Sequence, residues 1–171
     1  QRTTVPHHLF PTSPPLVPEA VTSYAMPRQI TEMTAGAGLQ RYDVSAYATP
    51  GHRCFHNLNF WQFGDYLGIG AGAHSKLSFA HRVVRQVRYR EPKLYMEKAL
   101  AGQAVTQETE VSRADLPFEF MLNALRLRGG FTLQDFTATP GLPLTAIRHG
   151  THKAERQEFI ERQFGRVQAT E

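Results

Sequence analysis

Residues 52–75, HRCFHNLNFWQFGDYLGIGAGAHS, contain the single cysteine and single tryptophan of the chain, three histidines and four glycines. A packed core does not need that density of reactive and small side chains, so function is expected to be legible here. The stretch holds two different signals.

The first signal is in residues 52–61. As an extended segment, residues 52–56 point His52, Cys54 and His56 to one side, because side-chain direction in a strand has a period of two. Imidazole and thiolate suit zinc, copper or haem iron, and haem needs only one axial histidine because the porphyrin supplies four ligands. H-x-C-x-H is no standard zinc signature. The plain reading of His52 and Cys54 is therefore a polar strand face or a hydrogen-bonded loop. His56 has different company: Asn57 and Asn59 can orient a ring nitrogen, and Phe60 and Trp61 offer flat surface for a porphyrin or purine. Aromatic neighbours also belong to cores, so ligand and structural roles both stay open for His56.

The second signal is the run Gly68, Ile69, Gly70, Ala71, Gly72, Ala73, His74, Ser75. Few side chains let backbone approach a ligand, with amides free for an anion, and the same run also suits a tight crossing beneath a neighbour. It is no dinucleotide fingerprint, since the third glycine spacing and the acidic residue about 20 positions on are missing.

With 171 residues, 41% of them hydrophobic and 20% charged, the chain can form one full core or two small ones. It has no apolar run of about 18 residues, and QRTTVPHHLF has no apolar signal region, so a cytoplasmic protein without a membrane span is expected. One cysteine cannot make an internal disulfide, nor supply a cluster that needs several thiolates. The net charge of +4 permits an anionic partner without requiring one. In HRVVRQVRYR, Val83, Val87 and Tyr89 share one parity and Arg82, Arg88 and Arg90 the other, which predicts a strand with a basic, mainly solvated face.

Periodicity and punctuation set out the other elements. Residues 3–5 are strand-like, the proline-rich residues 6–18 an extended connector, and 19–35 a helix that Pro27 should kink or break. Residues 39–47 alternate as a strand. A helix is expected from Glu91-Pro92 to about Leu100, a loop over 101–113, and a helix over 116–128 capped by Asp115 and stopped by Gly129-Gly130. Residues 133–138 form a short helix, Pro140-Gly141 a turn, and a further helix starts near Leu142. The last amphipathic helix runs through Phe164, and 166–168 begin a strand, which together suggest a winged-helix layout.

YDVSAYA (42–48), followed by PGHRCFHNLNFWQFGDYLGIGAGAHS (50–75), resembles the C-terminal half of the radical S-adenosylmethionine (SAM) proteins grouped with oxygen-independent coproporphyrinogen III oxidase. The match is closest to their haem-chaperone branch. LPFEFMLNALRL (116–127) looks like that branch's entry to its C-terminal domain, and TPGL (139–142) is similar to its T-G-L turn.

The resemblance implies an α/β fold. Residues 1–90 would be the end of a partial radical SAM barrel with a β extension, and 91–171 a helical, winged-helix-like accessory domain. It also implies a truncated chain, because the family's 4Fe–4S cluster sits on an upstream Cys-x-x-x-Cys-x-x-Cys loop to which Cys54 does not belong. His56, Asn57 and Trp61 match the H-N-x-x-Y-W motif associated with haem binding, with His56 as the iron ligand and Phe60 standing where the family has tyrosine. Gly70, Ala71, Gly72, Ala73 and His74 match the part that closes over the S-adenosylmethionine side. The implied function is binding haem and delivering it to an acceptor haemoprotein, with coproporphyrinogen oxidation by the full-length protein as the alternative. No residue of this chain is assigned a catalytic role. A nucleic-acid-binding winged helix is the other alternative, and Glu155, Glu158 and Glu161 on the expected recognition helix weigh against it.

Overall fold

The computed structural model describes residues 18–170, so the strand expected at 3–5 and the connector up to residue 17 lie outside the described residues. The described residues divide between Gln40 and Arg41 into two compact units.

In the first unit, α1 (Ala20–Gly36) runs unbroken through Pro27. The break expected there does not occur: Pro27 lacks the N–H that would reach the Ser23 carbonyl, and the helix continues past it with that one bond missing. Thr31 Oγ1 donates to the Pro27 carbonyl at 2.9 Å, and Arg28 pairs with Glu32 at 2.9 Å.

The second unit begins with short segments. β1 (Gln40–Arg41) and β2 (Tyr47–Ala48) flank a turn where one continuous strand was expected. Asp43 is the reason: its Oδ1 accepts from the Ser45 N–H at 2.7 Å, a local side-chain bond that competes with strand pairing. Then come α2 (Phe55–Trp61), β3 (His74–Ser78), β4 (Val83–Arg88), α3 (Pro92–Leu100), β5 (Val105–Val111) and α4 (Leu116–Ala124). The remainder is β6 (Phe131–Thr132), α5 (Leu133–Ala138), α6 (Thr145–Arg156), β7 (Ile160–Gln163) and β8 (Arg166–Ala169).

β3, β4 and β5 form an antiparallel sheet in that order, with His74 opposite Val87 and Val83 opposite Val111. The loop expected over 101–113 is therefore largely a strand. VTQETEV has no apolar face to reveal it, and as an edge strand it draws its backbone bonds from β4 alone. The basic face of β4 is also less open than expected. The Arg88 guanidinium donates to the Gly68 carbonyl, while Arg85, on the valine face, is paired with Glu119 on α4.

A second antiparallel sheet has the order β6-β8-β7, with helices α4, α5 and α6 in the same segment of chain. α4 ends at Ala124, short of the expected Arg128, and Asp115 makes no cap bond because its carboxylate accepts from Ser112 Oγ at 2.7 Å. α5 matches its expectation and starts with a capping box between Thr132 and Asp135. The final helix stops at Arg156, since Glu158 (φ 59°) turns the chain into the β7–β8 hairpin whose tip is Phe164 (φ 50°) and Gly165 (φ 76°).

Phe120 centres the core, edge-to-face with Phe63, Phe131 and Phe136 at 5.7, 5.0 and 5.2 Å between ring centroids. Leu116, Ile147, Ile160 and Val167 close around these rings. Gly130 (φ 55°) lets β6 reach β8, because a Cβ there would sit 1.9 Å from the Val167 carbonyl oxygen. Gly130→Ala should lower stability by about 3 kcal/mol or more. Gly129→Ala, whose nearest neighbour would be a side-chain nitrogen of Arg166 at 3.9 Å, should stay within about 0.5 kcal/mol. Urea midpoints of the two variants check the contrast.

Candidate functional site

Residues 55–61 are helical, so the extended arrangement that aligned His52, Cys54 and His56 is corrected. Cys54 is the extended N-cap of α2, its carbonyl accepts from the Leu58 N–H, and only His56 of the three lies in the helix. Among the described residues, no group of three His, Cys, Asp or Glu side chains is placed to hold a metal ion.

Helical spacing divides the motif between two faces of α2. His56 and Phe60, four apart, share one face: His56 is exposed, and its ring meets Phe60 edge-on at 4.8 Å. Phe60 in turn lies against Tyr66 at 4.1 Å, which extends the apolar ledge.

Asn57 and Trp61 share the other face and are engaged by the protein. Trp61 Nε1–H donates to Asp43 Oδ2 at 2.8 Å, and the Arg126 guanidinium stands over the indole at 4.2 Å. Asn57 Nδ2 donates to the Tyr42 hydroxyl at 3.3 Å, and Asn59 Nδ2 to the Asp65 carbonyl at 2.8 Å. The two asparagines therefore hold the helix in place rather than orient the His56 ring, as the sequence had suggested.

Two groups important to this architecture did not stand out in the sequence. Asp43 is 2% exposed, yet it is a lone carboxylate in a strand-like alternation. Lys76, also 2% exposed, hides in HSKLS. Its ammonium donates to the Phe63 carbonyl at 2.8 Å, Asp65 Oδ1 at 2.9 Å and Ser78 Oγ at 3.0 Å, and lies 4.1 Å from the Phe63 ring centre. Burial works against the Asp65 carboxylate, but bonds from Lys76 and from the Ser78 N–H and hydroxyl outweigh it and lower its pKa.

The glycine run is tied to its neighbours. Gly68 N–H donates to Ser75 Oγ at 3.0 Å, Gly70 N–H to the Tyr95 hydroxyl at 3.0 Å and Gly72 N–H to the Tyr89 carbonyl at 2.8 Å. Ala73 N–H donates to the Gly70 carbonyl at 3.2 Å. Those four amides are not free for an anion. The tight-crossing alternative applies at Gly68, where a Cβ would sit 2.1 Å from the His74 carbonyl oxygen.

The fold and the C-terminal part of the sequence are similar to those of known proteins. Residues 111–171 match the family model described as the HemN C-terminal domain. The fold is similar to that of Escherichia coli coproporphyrinogen III oxidase (HemN), described as a radical SAM enzyme. The TM-score is 0.62 at 13% identity, over 90% of this chain and 38% of that one.

Curated relatives narrow the class. The heme chaperone HemW of Escherichia coli is 37% identical over 161 residues, 94% of this chain and 42% of that protein. HemW of Haemophilus influenzae is 37% identical across 100% of this chain and 44% of its own length. A mitochondrial radical S-adenosyl methionine domain-containing protein 1 from Bos taurus is 32% identical over 57% of this chain and 23% of that protein. The resemblance carried by the motifs therefore holds: this chain is related to the HemW heme chaperones among the HemN-like radical SAM proteins. It spans less than half the length of the two HemW relatives.

Trp61→Phe keeps an aromatic ring but leaves the buried Asp43 Oδ2 without its indole donor, which should cost about 1–3 kcal/mol. Circular dichroism during urea unfolding measures this without tryptophan fluorescence, and an unchanged midpoint would refute it.

Asp65 supplies a pH signature. Its folded pKa lies below the unfolded value of about 3.9, so its stabilisation is complete above that value and is lost as pH falls through the lower, folded one. Asp65→Asn should flatten the dependence of the urea midpoint on pH below about pH 4. The same slope in both proteins would contradict the assignment.

Proposed function

We propose that this chain is the haem-binding region of a radical SAM haem chaperone, holding haem through His56 for transfer to an acceptor haemoprotein. The carrying observation is an exposed imidazole on a short anchored helix, beside the ledge of Phe60 and Tyr66. Haem, when bound, supplies an iron that accepts an imidazole nitrogen. His56 and Phe60 contact it in this reading. Asn57 and Trp61, which the motif also assigns to the haem site, act from the adjacent face by fixing α2.

Gly70, Ala71, Gly72, Ala73 and His74 form the edge nearest S-adenosylmethionine in the full-length protein. Support is the bare backbone at Gly70, where an added Cβ would meet nothing within 4 Å. The 4Fe–4S cluster needs several thiolates, and the single Cys54 cannot supply them, so its ligands come from sequence beyond this chain.

In this reading α1 is the closing helix of the barrel and β3 and β4 belong to its extension within residues 1–90, while β5, which pairs with β4, falls in the accessory part, residues 91–171. The order α4-β6-α5-α6-β7-β8, with sheet order β6-β8-β7, supports the winged-helix description. Delivery in the cytoplasm is consistent with the described residues, which include no helix long and apolar enough to cross a membrane.

Haem titration followed at the Soret band tests the ligand. His56→Ala should abolish the band or shift it and weaken binding at least tenfold, whereas His52→Ala, outside α2, should leave it unchanged. An unaltered band in His56→Ala would overturn the assignment.

A further inference from the structure

β5 has a neighbour on one side only. The sheet runs β3-β4-β5, and among the described residues no strand pairs with the far edge of Val105–Val111. Residues 106–110 are all exposed. A sheet edge with unpaired N–H and C=O groups is a template for another strand, and proteins commonly blunt such edges by shortness, a bulge or lysine. At seven residues β5 is the longest strand described, and it holds no lysine. Its register shift lies at its start, against Val87 and Arg88, and leaves residues 107–111 regular.

The phase of the ladder identifies the groups that face outward. The Arg88 N–H donates to the Ala73 carbonyl at 2.9 Å, which turns its amide toward β3. Alternation along β4 then turns the backbones of Val83, Arg85 and Val87 toward β5, where they meet Val111, Thr109 and Gln107. Glu108 and Glu110 fall between those positions, so their N–H and C=O groups point away from the sheet.

Their side chains decide what can pair there. Glu108 and Glu110 stand on one face, because side-chain direction alternates along a strand. Glu108 Oε2 accepts from the neutral Gln86 amide at 2.7 Å, and Glu110 Oε2 is 4.0 Å from Arg82 Nη1. Neither carboxylate is held by a cation at hydrogen-bond distance. A residue directly opposite either one in an added strand would place its Cβ about 5 Å away, where opposite charges attract and like charges repel. A second copy of β5 is disfavoured on that account, since antiparallel pairing centred here sets Glu108 against Glu108 or Glu110. The edge selects against itself and for a strand of opposite charge pattern.

We propose that β5 docks an extended basic segment of a partner protein by strand addition, with Lys or Arg at alternate positions opposite Glu108 and Glu110. Main-chain bonds to those two residues supply affinity, and the glutamates supply the choice of partner. The edge involves none of the residues assigned to haem, so failure of either reading leaves the other standing.

Titration of the chain with acetyl-Thr-Arg-Val-Lys-Thr-amide, followed by NMR hydrogen exchange, tests the proposal. Saturable binding should protect the Glu108 and Glu110 amides at least tenfold, while the Gln107 and Thr109 amides, already in the ladder, change little. Binding should be at least tenfold weaker for the peptide with Glu at both basic positions and for the peptide N-methylated at Arg and Lys. The same loss is expected for Glu108→Lys combined with Glu110→Lys, two exposed positions where the fold is not at risk. Equal binding of the reversed-charge peptide, no saturation at millimolar peptide, or protection confined to other amides would overturn it. Protection of the same two amides without peptide, rising with protein concentration, would also overturn it by making a second copy the occupant.

Discussion

A carboxylate with 2% of its surface exposed is the constraint on which the site depends. Asp43 cannot keep a charge in that position without donors around it, because desolvation of an unpaired ion costs several kcal/mol. The donors come from two directions: the Ser45 N–H two residues on, and the Trp61 indole from α2. Arg126, just past the end of α4, covers the indole, while the Arg128 N–H donates to the Tyr42 carbonyl at 3.0 Å. A bridge between Asp43 and Leu127 completes the attachment. One buried charge thus ties together a turn, a short helix and the exit from α4. α2 has seven residues and no side-chain cap, too few to persist by itself. Where His56 points is therefore decided by Asp43 rather than by its own neighbours in sequence.

The same logic recurs on the other side of the site. Lys76 is buried with its ammonium among the Phe63 carbonyl, Asp65 and Ser78, so the loop leaving α2 is fixed to β3 by a second compensated charge. Asp65 Oδ2 accepts from the Ser78 N–H at 2.8 Å, adding a rung where strand pairing would otherwise end. Within residues 52–75 the chain is held at Trp61 by Asp43 and at Phe63 and Asp65 by Lys76. Two of the glycines between have a steric reason to lack a side chain. At Gly64 a Cβ would sit 2.1 Å from Asn59 Oδ1, and at Gly68 equally close to the His74 carbonyl oxygen.

Which elements were legible follows from how local their causes are. α5 could be read directly because Thr132 and Asp135 satisfy each other's backbone within one turn. β4 could be read from its valine alternation, although the partners of Arg85 and Arg88 lie 34 and 20 residues away and left no local trace. β5 could not, since VTQETEV is polar on both faces and exists through pairing. HRCFHNLNFW fits a strand as well as a helix, and the donor network that selects helix reaches back to residues 42 and 43. Near the end, Ala154, Phe159, Ile160 and Phe164 fall close to helical spacing. Ile160 is nonetheless buried from a strand and Phe164 sits at an exposed hairpin tip. The sequence placed His56, Asn57, Phe60 and Trp61 in one group, but their division between two helix faces required knowing that they form a helix.

That division clarifies what Phe60 does in place of the tyrosine that the resemblance leads one to expect. A phenol at this position would place a second polar group beside His56. Phenylalanine instead packs its ring on Tyr66, whose own hydroxyl accepts from Arg85 Nη1 at 3.2 Å, while Arg85 is held by Glu119 on α4. Burial opposes the Arg85 charge, but Glu119 outweighs it and raises its pKa, so this support stays charged across the whole working range of pH. The other polar side chains of α2 are occupied too, Asn57 by Tyr42 and Asn59 by Asp65. Asn57 and Asn59 are thus engaged through their amide nitrogens, and the exposed His56 stands above carbon surface fixed from behind.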